Sequence, residues 1–284
     1  IYIYTSENAK GTELQDSKDN TITIPYMQIT SNNTAYGIIS NGTSSLHNNN
    51  NSFTNYYGES TITSNKSIGV LLENSNNITF SGIDIKNSNS HYKIKGNYAR
   101  EILTKNSNNT KISNTLIYLS RLTKTNYDII AIEQINSQNT NITAIIMKKD
   151  TTYNTKGNFL KLVNTTNTYL RPAENVSNTT INITDIAIIM ENSNNNIIDN
   201  VSITTQSDYV MNLTNSNNNK ITNNYLNGNN FRGGDSTIIQ TNSKNNTLSN
   251  NIPEIIILTD DNYNDYFVNQ IFNINKTAEA TIGS

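Results

Sequence analysis

The sequence predicts an all-β fold, a single-stranded right-handed parallel β-helix (solenoid) of about eight coils with Asn ladders. Three observations lead to this prediction. A short Asn-anchored element recurs along the chain, and apolar residues stand at fixed offsets from each anchor. Hydrophobic residues make up only 34% of the 284 residues, below the roughly 45–50% of compact domains, which suits a narrow, column-shaped core.

The recurring element is Asn-Ser/Thr-x-Asn. Its seven copies are spaced 23 to 32 residues apart. Asn suits tight corners because its amide bonds nearby backbone and it tolerates left-handed dihedrals. Stacked at one corner, such side chains can bond along the stack as they do in steric zippers. We therefore predict a structural Asn ladder made of Asn74, Asn106, Asn136, Asn164, Asn192, Asn215 and Asn242.

Apolar residues flank every anchor at two positions. Four residues before the anchors stand Val70, Ile102, Ile132, Leu160, Ile188, Met211 and Ile238. Six residues after the anchors stand Phe80, Ile112, Ile142, Leu170, Ile198, Ile221 and Leu248. Alternation around these positions indicates short strands with one face turned inward. One coil cannot bury that face alone, so stacked coils must share a continuous core. The regularity argues against a disordered Asn-rich tract.

The main structural alternative is a leucine-rich repeat, which has a similar period. Its consensus requires Leu at fixed spacing and a helical outer half, whereas here β-branched Ile dominates both halves of the unit. Variable coil length indicates loops inserted between strands. The candidate loops are residues 87–100, 123–128, 148–158, 172–178 and 228–236.

The two ends of the chain differ from the repeat. We expect one or more irregular N-terminal coils over residues 1–40, the β-helix over 41–252, and a capping segment over 253–284 that leads to a following region. In the cap, residues 255–258 read as an apolar strand. Asp260 and Asp261 could begin a short helix through Tyr266, Phe267 and Val268. We also expect the sequence to be a piece of a longer exported protein.

Charge and composition exclude several functions. The net charge is −2 with 15% charged residues, so nothing favours binding to nucleic acid. The chain has no Cys, which removes disulfides and thiolate metal sites. No apolar run approaches the roughly 18 residues of a membrane span, so we expect no membrane insertion by this chain. No cofactor-binding motif was found.

The units, of the form NSxNNxIxxNxI, resemble the NosD-type and carbohydrate-binding/sugar-hydrolase β-helix repeats. Together with LTDDNYNDYF at 258–267, the composition resembles the adhesin-like surface proteins of methanogenic archaea. The resemblance covers about residues 68–267. It implies extracellular display on the cell surface or envelope and attachment to glycans or proteins of other cells. No functional residue of the family carries over position by position.

Candidate catalytic groups are sparse, so the sequence predicts no catalytic, cofactor-binding or metal-binding residue. Glu73 and Glu191 each stand one residue before an anchor. They lie four coils apart, which is beyond the spacing of the two carboxylates in glycosidases. Asp128 and Glu133 are close in sequence, and nothing in the sequence brings them together. A polysaccharide lyase or glycosidase remains the alternative to the adhesin-like module.

The remaining candidates are His and Tyr residues. His47 and His91 are the only histidines, each among polar residues, and a surface position is the expectation for both. Tyr residues could stack against sugars if they share one face. The Tyr residues singled out for that role are Tyr56, Tyr57, Tyr92, Tyr98, Tyr118 and Tyr153.

Overall fold

The chain forms a parallel β-solenoid, known here from a computed structural model. The structure describes residues 1–24, 26–43, 48–55, 60–81, 91–120, 127–147, 157–172, 179–207, 209–228, 237–252, 255–259, 266–268, 271–274 and 281–282. Among these residues all strand pairings are parallel, and there is no helix. The predicted fold class is confirmed. The leucine-rich alternative fails because its outer half would be helical.

One side of the solenoid is an eleven-stranded parallel sheet. Its strands, in chain order, are β2 (Ala9–Gln15), β5 (Thr34–Asn41), β9 (Lys66–Glu73), β13 (Tyr98–Lys105), β15 (Asp128–Ile135), β17 (Asn158–Val163), β20 (Ile188–Glu191), β23 (Tyr209–Thr214), β26 (Thr237–Thr241), β28 (Ile255–Thr259) and β30 (Ile271–Ile274).

The other sides belong to an eighteen-stranded sheet and a two-stranded one. The larger sheet contains β1 (Tyr2–Thr5), β3 (Thr21–Ile24), β4 (Gln28–Ser31), β7 (Ser52–Asn55), β8 (Ser60–Thr63), β11 (Thr79–Ser81), β12 (His91–Lys95), β14 (Lys111–Ser120), β16 (Asn141–Met147), β18 (Tyr169–Arg171), β19 (Thr179–Ile183), β21 (Ile197–Asp199), β22 (Val201–Thr205), β24 (Lys220–Thr222), β25 (Tyr225–Asn227), β27 (Thr247–Ser249), β29 (Tyr266–Val268) and β31 (Thr281–Ile282). The smaller sheet pairs β6 (Asn48–Asn49) with β10 (Ser75–Asn76).

The core consists of apolar rows that run along the solenoid axis. The residues four before each anchor pair with one another from coil to coil, from Val70 to Ile238. The residues six after each anchor do the same from Phe80 to Leu248. All fourteen side chains are buried. Each buried side chain of this size contributes roughly 1.5–3 kcal/mol, so the rows stabilise the stack.

The anchor Asn residues turn one corner of every coil. All seven have positive φ, between 47° and 52°, the left-handed region that Asn adopts more readily than most residues. Asn106 donates to Asn74 at 3.3 Å, Asn136 to Asn106 at 3.3 Å and Asn164 to Asn136 at 3.1 Å through their side-chain amides. These bonds link four of the seven anchors into a ladder.

A second file of Asn residues, not predicted, stands three positions after the anchors. Asn77, Asn109, Asn139 and Asn167 each donate a side-chain N–H to the residue one coil earlier, at 3.0–3.1 Å. Their φ values of 53° to 57° match those of the anchors. The second Asn of each of these elements is therefore a second left-handed corner residue, and these residues form a ladder of their own.

The N-terminal region is regular, contrary to the expectation of irregular coils over 1–40. β2 pairs in register with β5, and Asp16 and Asp19 adopt φ values of 47° and 58°. These two residues occupy the corner positions that Asn holds in later coils. Asp also tolerates the left-handed region, so this coil forms the same corners without the Asn residues that mark the later coils.

The C-terminal prediction of a short helix is wrong. Tyr266–Val268 is strand β29 and pairs with β27, while β28 pairs with both β26 and β30. The described part of 253–284 therefore continues the solenoid, because its strands pair in parallel with those of the preceding coils. Four of the five predicted loops lie largely outside the described residues. In the fifth, 87–100, the described residues form β12 and the start of β13.

Candidate functional site

A groove runs along the axis of the solenoid at the corner where four strands of the eleven-stranded sheet begin. It has a volume of about 670 Å³. We call it the axial groove and define it by its lining residues, which are Asn33, Thr34, Asn65, Lys66, Asn97, Tyr98, Tyr127 and Asp128. Each pair of neighbouring residues consists of the residue just before β5, β9, β13 or β15 and the first residue of that strand.

Strand register aligns these residues into two files. Thr34 pairs with Lys66, Lys66 with Tyr98, and Tyr98 with Asp128. The residues just before them form the second file, in which the Asn97 amide donates to Asn65 Oδ1 at 3.0 Å. Every member of the second file stands nine positions before a corner residue. That fixed offset is visible in the sequence, but it lies further from each anchor than the two apolar positions.

Backbone hydrogen bonds fix the floor of the axial groove. The amide of Lys66 donates to the carbonyl of Asn33 at 2.9 Å, and the amide of Tyr98 donates to that of Asn65 at 3.0 Å. The amide of Asp128 donates to the carbonyl of Asn97 at 2.6 Å. The lining side chains therefore project from a rigid backbone, which lowers the entropic cost of binding a ligand.

A buried arginine lies behind the groove on β13. Arg100 is 2% exposed, and its Nη2 donates to Asp128 Oδ2 at 2.7 Å while its Nε donates to Glu133 Oε2 at 2.5 Å. Its Nη1 donates to the carbonyls of Asp128 at 2.8 Å and Ala99 at 3.1 Å. Burial alone would lower the pKa of Arg100, but the hydrogen bond to Asp128 and the charge of Glu133 outweigh it and raise the pKa.

Two cations cover the Tyr98 ring. The guanidinium carbon of Arg100 is 4.0 Å from the ring centroid, and Lys66 Nζ is 5.1 Å from it, both within cation–π range. Burial raises the pKa of Tyr98, with the nearby Arg100 charge acting in the opposite direction. Tyr98 is one of the Tyr residues that could stack on sugars. Its ring packs against Arg100, so it forms a fixed wall of the groove.

Asp128 and Glu133 come together through Arg100, which the sequence did not predict. Both carboxylates bind the same guanidinium, although their environments differ: the Asp128 side chain is 58% exposed and Glu133 only 8%. A comparison with the coil of β9 could have indicated this contact. When the coils are aligned, Arg100 and Glu133 occupy outward positions that hold the apolar residues Ile68 and Leu71 in that coil. A buried charge at such a position needs a partner of opposite charge.

The outer face beside Arg100 carries a second apolar cluster. It consists of the buried residues Ile39, Ile68, Leu71 and Leu103, against which Tyr36, Tyr98 and Ile135 pack. Alternation along β5, β9 and β13 separates these side chains from the inward core rows. The Arg100–Glu133 pair, whose side chains are 2% and 8% exposed, therefore has a largely apolar surrounding. Such a surrounding strengthens the pair electrostatically and makes an unpaired charge there costly.

The inner face of β13 carries a buried acid, Glu101. It is fully buried, and neither of its carboxyl oxygens has a hydrogen-bond partner. Burial raises its pKa well above the usual value, because a carboxylate loses its hydration there. The coil before it has Gly69 at this position, where an added Cβ would meet the Glu101 carbonyl at 2.6 Å. Glu101 thus belongs to the interior and lies outside the groove.

The other predicted candidates do not gather into a site. Glu73 lies 4.0 Å from Lys105, and Glu191 lies 3.2 Å from Lys161, so each makes its own surface ion pair. The residues placed by the structure contain no group of three or more His, Cys, Asp or Glu suited to a metal ion. His47, Asp260 and Asp261 lie outside the described residues, as do Tyr56, Tyr57 and Tyr153, and the side chains of His91, Tyr92 and Tyr118 are not described.

Within the described residues no helix has the length and apolarity needed to cross a membrane. No family model matches the chain, and no curated protein matches it either. The likeness to adhesin-like proteins of methanogens therefore stays a prediction.

Solved structures with similar folds include DFA-IIIase, an alginate epimerase and an adhesin. DFA-IIIase from Arthrobacter chlorophenolicus A6, without its lid, is 11% identical with a TM-score of 0.51, over 88% of this chain and 67% of that chain. A double mutant of the periplasmic alginate epimerase AlgG is 11% identical with a TM-score of 0.41, over 95% and 78%. The Streptococcus pneumoniae surface protein and adhesin PfbA is 11% identical with a TM-score of 0.39, over 97% and 91%. At this identity, the similarity to DFA-IIIase establishes a shared parallel β-helix fold.

Proposed function

We propose that this chain is an extracellular, cell-surface adhesive module that binds glycans in the axial groove. The observation that carries the proposal is the groove itself, a preformed surface four coils long with amide, hydroxyl, ammonium and carboxylate groups at fixed positions. Sugar recognition needs such convergent hydrogen-bonding groups beside a few rigid aromatic side chains. The resemblance of the composition and of residues 258–267 to adhesin-like surface proteins supports the same assignment.

The arrangement of the carboxylates favours binding over chemistry. Glu133 is almost fully buried and bonded to Arg100 Nε, so it cannot reach a ligand in the groove without breaking that pair. Asp128 is exposed enough to contact a ligand, but it also bonds to Arg100. Glycoside hydrolysis needs two carboxyl groups that both face the scissile bond. One exposed carboxylate suits a hydrogen-bond acceptor for sugar hydroxyls.

A polysaccharide-processing activity is the second candidate, and one observation favours it. Two carboxylates converge on a single guanidinium at the edge of the groove, and such clusters also occur in active sites. In that case Asp128 would face the substrate, and Arg100 would hold it in position.

The test is an array of glycans and polysaccharides probed with the purified chain, with reducing-end and unsaturated-product assays on every hit. Lys66→Ala removes a groove side chain. Lys111→Ala is the matched control, since both are exposed Lys residues at the start of a strand. Binding without turnover that weakens in Lys66→Ala and persists in Lys111→Ala supports the proposal. Turnover abolished by Asp128→Asn would replace it with the enzyme, and absence of any binding would refute it.

A second experiment tests surface display. An antibody against the chain should label intact cells of the source organism, and external protease should remove the label. Labelling that requires permeabilised cells would contradict the extracellular assignment.

A further inference from the structure

The axial groove has a direction that is set by the strand register. Its two files of residues both follow the solenoid axis, because each coil adds one residue to each file. Three coil spacings of about 4.8 Å make the groove about 14 Å long. A ligand that uses all four coils must therefore be extended and lie parallel to the axis.

The repeat of the groove is close to the length of one pyranose residue. The amide file contains Asn33, Asn65 and Asn97 at successive coils, about 4.8 Å apart. The hydrogen bond from the Asn97 amide to Asn65 Oδ1 keeps two of these groups in a fixed relation. A linear glycan laid along this file would meet one amide per sugar residue, so each added sugar gains a similar set of hydrogen bonds.

The charges around the groove balance. Lys66 and Asp128 line it with one charge of each sign, and Arg100 and Glu133 behind it contribute one more of each. A polyanionic chain would gain attraction at Lys66 and meet repulsion at the exposed Asp128, two coils away. Electrostatic complementarity favours a ligand whose charge is opposite to that of its site. Because the charges of the groove cancel, it favours an uncharged ligand.

From these three features we infer that the ligand is an uncharged linear glycan lying parallel to the solenoid axis and spanning at least three sugar residues. This inference rests on the proposed function, that the groove binds glycans. It adds the orientation, the minimum length and the charge of the ligand.

The test is calorimetric titration of the chain with cello-, manno- and β-1,3-gluco-oligosaccharides of two to six residues, and with oligogalacturonates of the same lengths, at low and high salt. Affinity for a neutral series should rise roughly tenfold or more between two and four residues and then level off, since each coil adds hydrogen bonds. Salt should have little effect on an uncharged ligand.

Two groove variants test the orientation. Asn33→Ala and Asn97→Ala stand two coils apart, so both should weaken binding of a tetrasaccharide that lies along the axis. A ligand lying across the groove would touch only one of them. Asn227→Ala, at an exposed Asn in β25, is the control and should change nothing. Circular dichroism and thermal midpoints check that all three variants fold.

The outcomes separate this inference from the proposed function. Affinity that is independent of chain length, or that responds to only one of the two groove variants, overturns the axial orientation while glycan binding stands. Preference for oligogalacturonates with loss of affinity in salt overturns the uncharged ligand. Failure of all oligosaccharides, together with a silent array, removes the proposed function and this inference with it.

Discussion

Replacing Arg100 with Met should destabilise the chain by about 3–5 kcal/mol, the usual penalty for removing one partner of a buried ion pair. The loss arises at Glu133, whose side chain is 8% exposed and would lose the guanidinium that it binds. Asp128 is 58% exposed and rehydrates, so it contributes little. The carbonyls of Ala99 and Asp128 also lose a donor.

A double-mutant cycle locates the penalty. Glu133→Leu removes the second buried charge, so the Arg100→Met/Glu133→Leu chain should regain most of the lost stability, as replacement of buried pairs by apolar residues often does. The assay is urea unfolding followed by circular dichroism for the wild type, both single variants and the double variant. Lys220→Met, at an exposed position at the start of β24, is the control and should stay within about 0.5 kcal/mol of wild type.

Two results would refute this reasoning. If Arg100→Met loses less than about 1 kcal/mol, the ion pairs are no more valuable than surface pairs. If the double variant is as unstable as Arg100→Met, the penalty does not come from the charge left on Glu133.

Three further predictions concern the interior and the corners. The folded-state pKa of Glu101 lies above its unfolded value of about 4.3, so the chain should lose stability as pH rises from that value. Glu101→Gln should therefore flatten a plot of thermal midpoint against pH, and parallel plots for the two chains would contradict the prediction. Gly37→Ala should destabilise the chain by about 1–3 kcal/mol in urea unfolding. The added Cβ would lie 2.5 Å from the Gly69 carbonyl oxygen and 2.7 Å from Ile62 Cδ1. Wild-type stability would show that the strands can separate there. Asn136→Ala should lose about 1–2 kcal/mol more than Asn136→Gly in the same assay, because the φ of 49° strains any residue with a Cβ; equal losses would mean that the ladder bonds alone matter.

The sequence was informative about the coils because their signals are local and repeated. Val70, Phe80 and their counterparts stand at fixed offsets from Asn74 and the later anchors, and each coil repeats the same balance of apolar and corner residues. The corner residues were harder to predict. Asp16 forms the left-handed turn that Asn forms in later coils, with a φ of 47°, so a pattern based on Asn alone does not include its coil.

The solenoid, its inward rows and its Asn corners could all be predicted from the sequence, because every coil repeats the same local pattern of strand and corner residues. The tertiary structure alone decided which coils place Arg100, Asp128 and Glu133 side by side, and how Lys66 and Tyr98 form one wall. Those contacts join residues about thirty positions apart, across coils of unequal length. The number of residues between two side chains therefore does not give their separation, which depends on the strand register that stacking imposes.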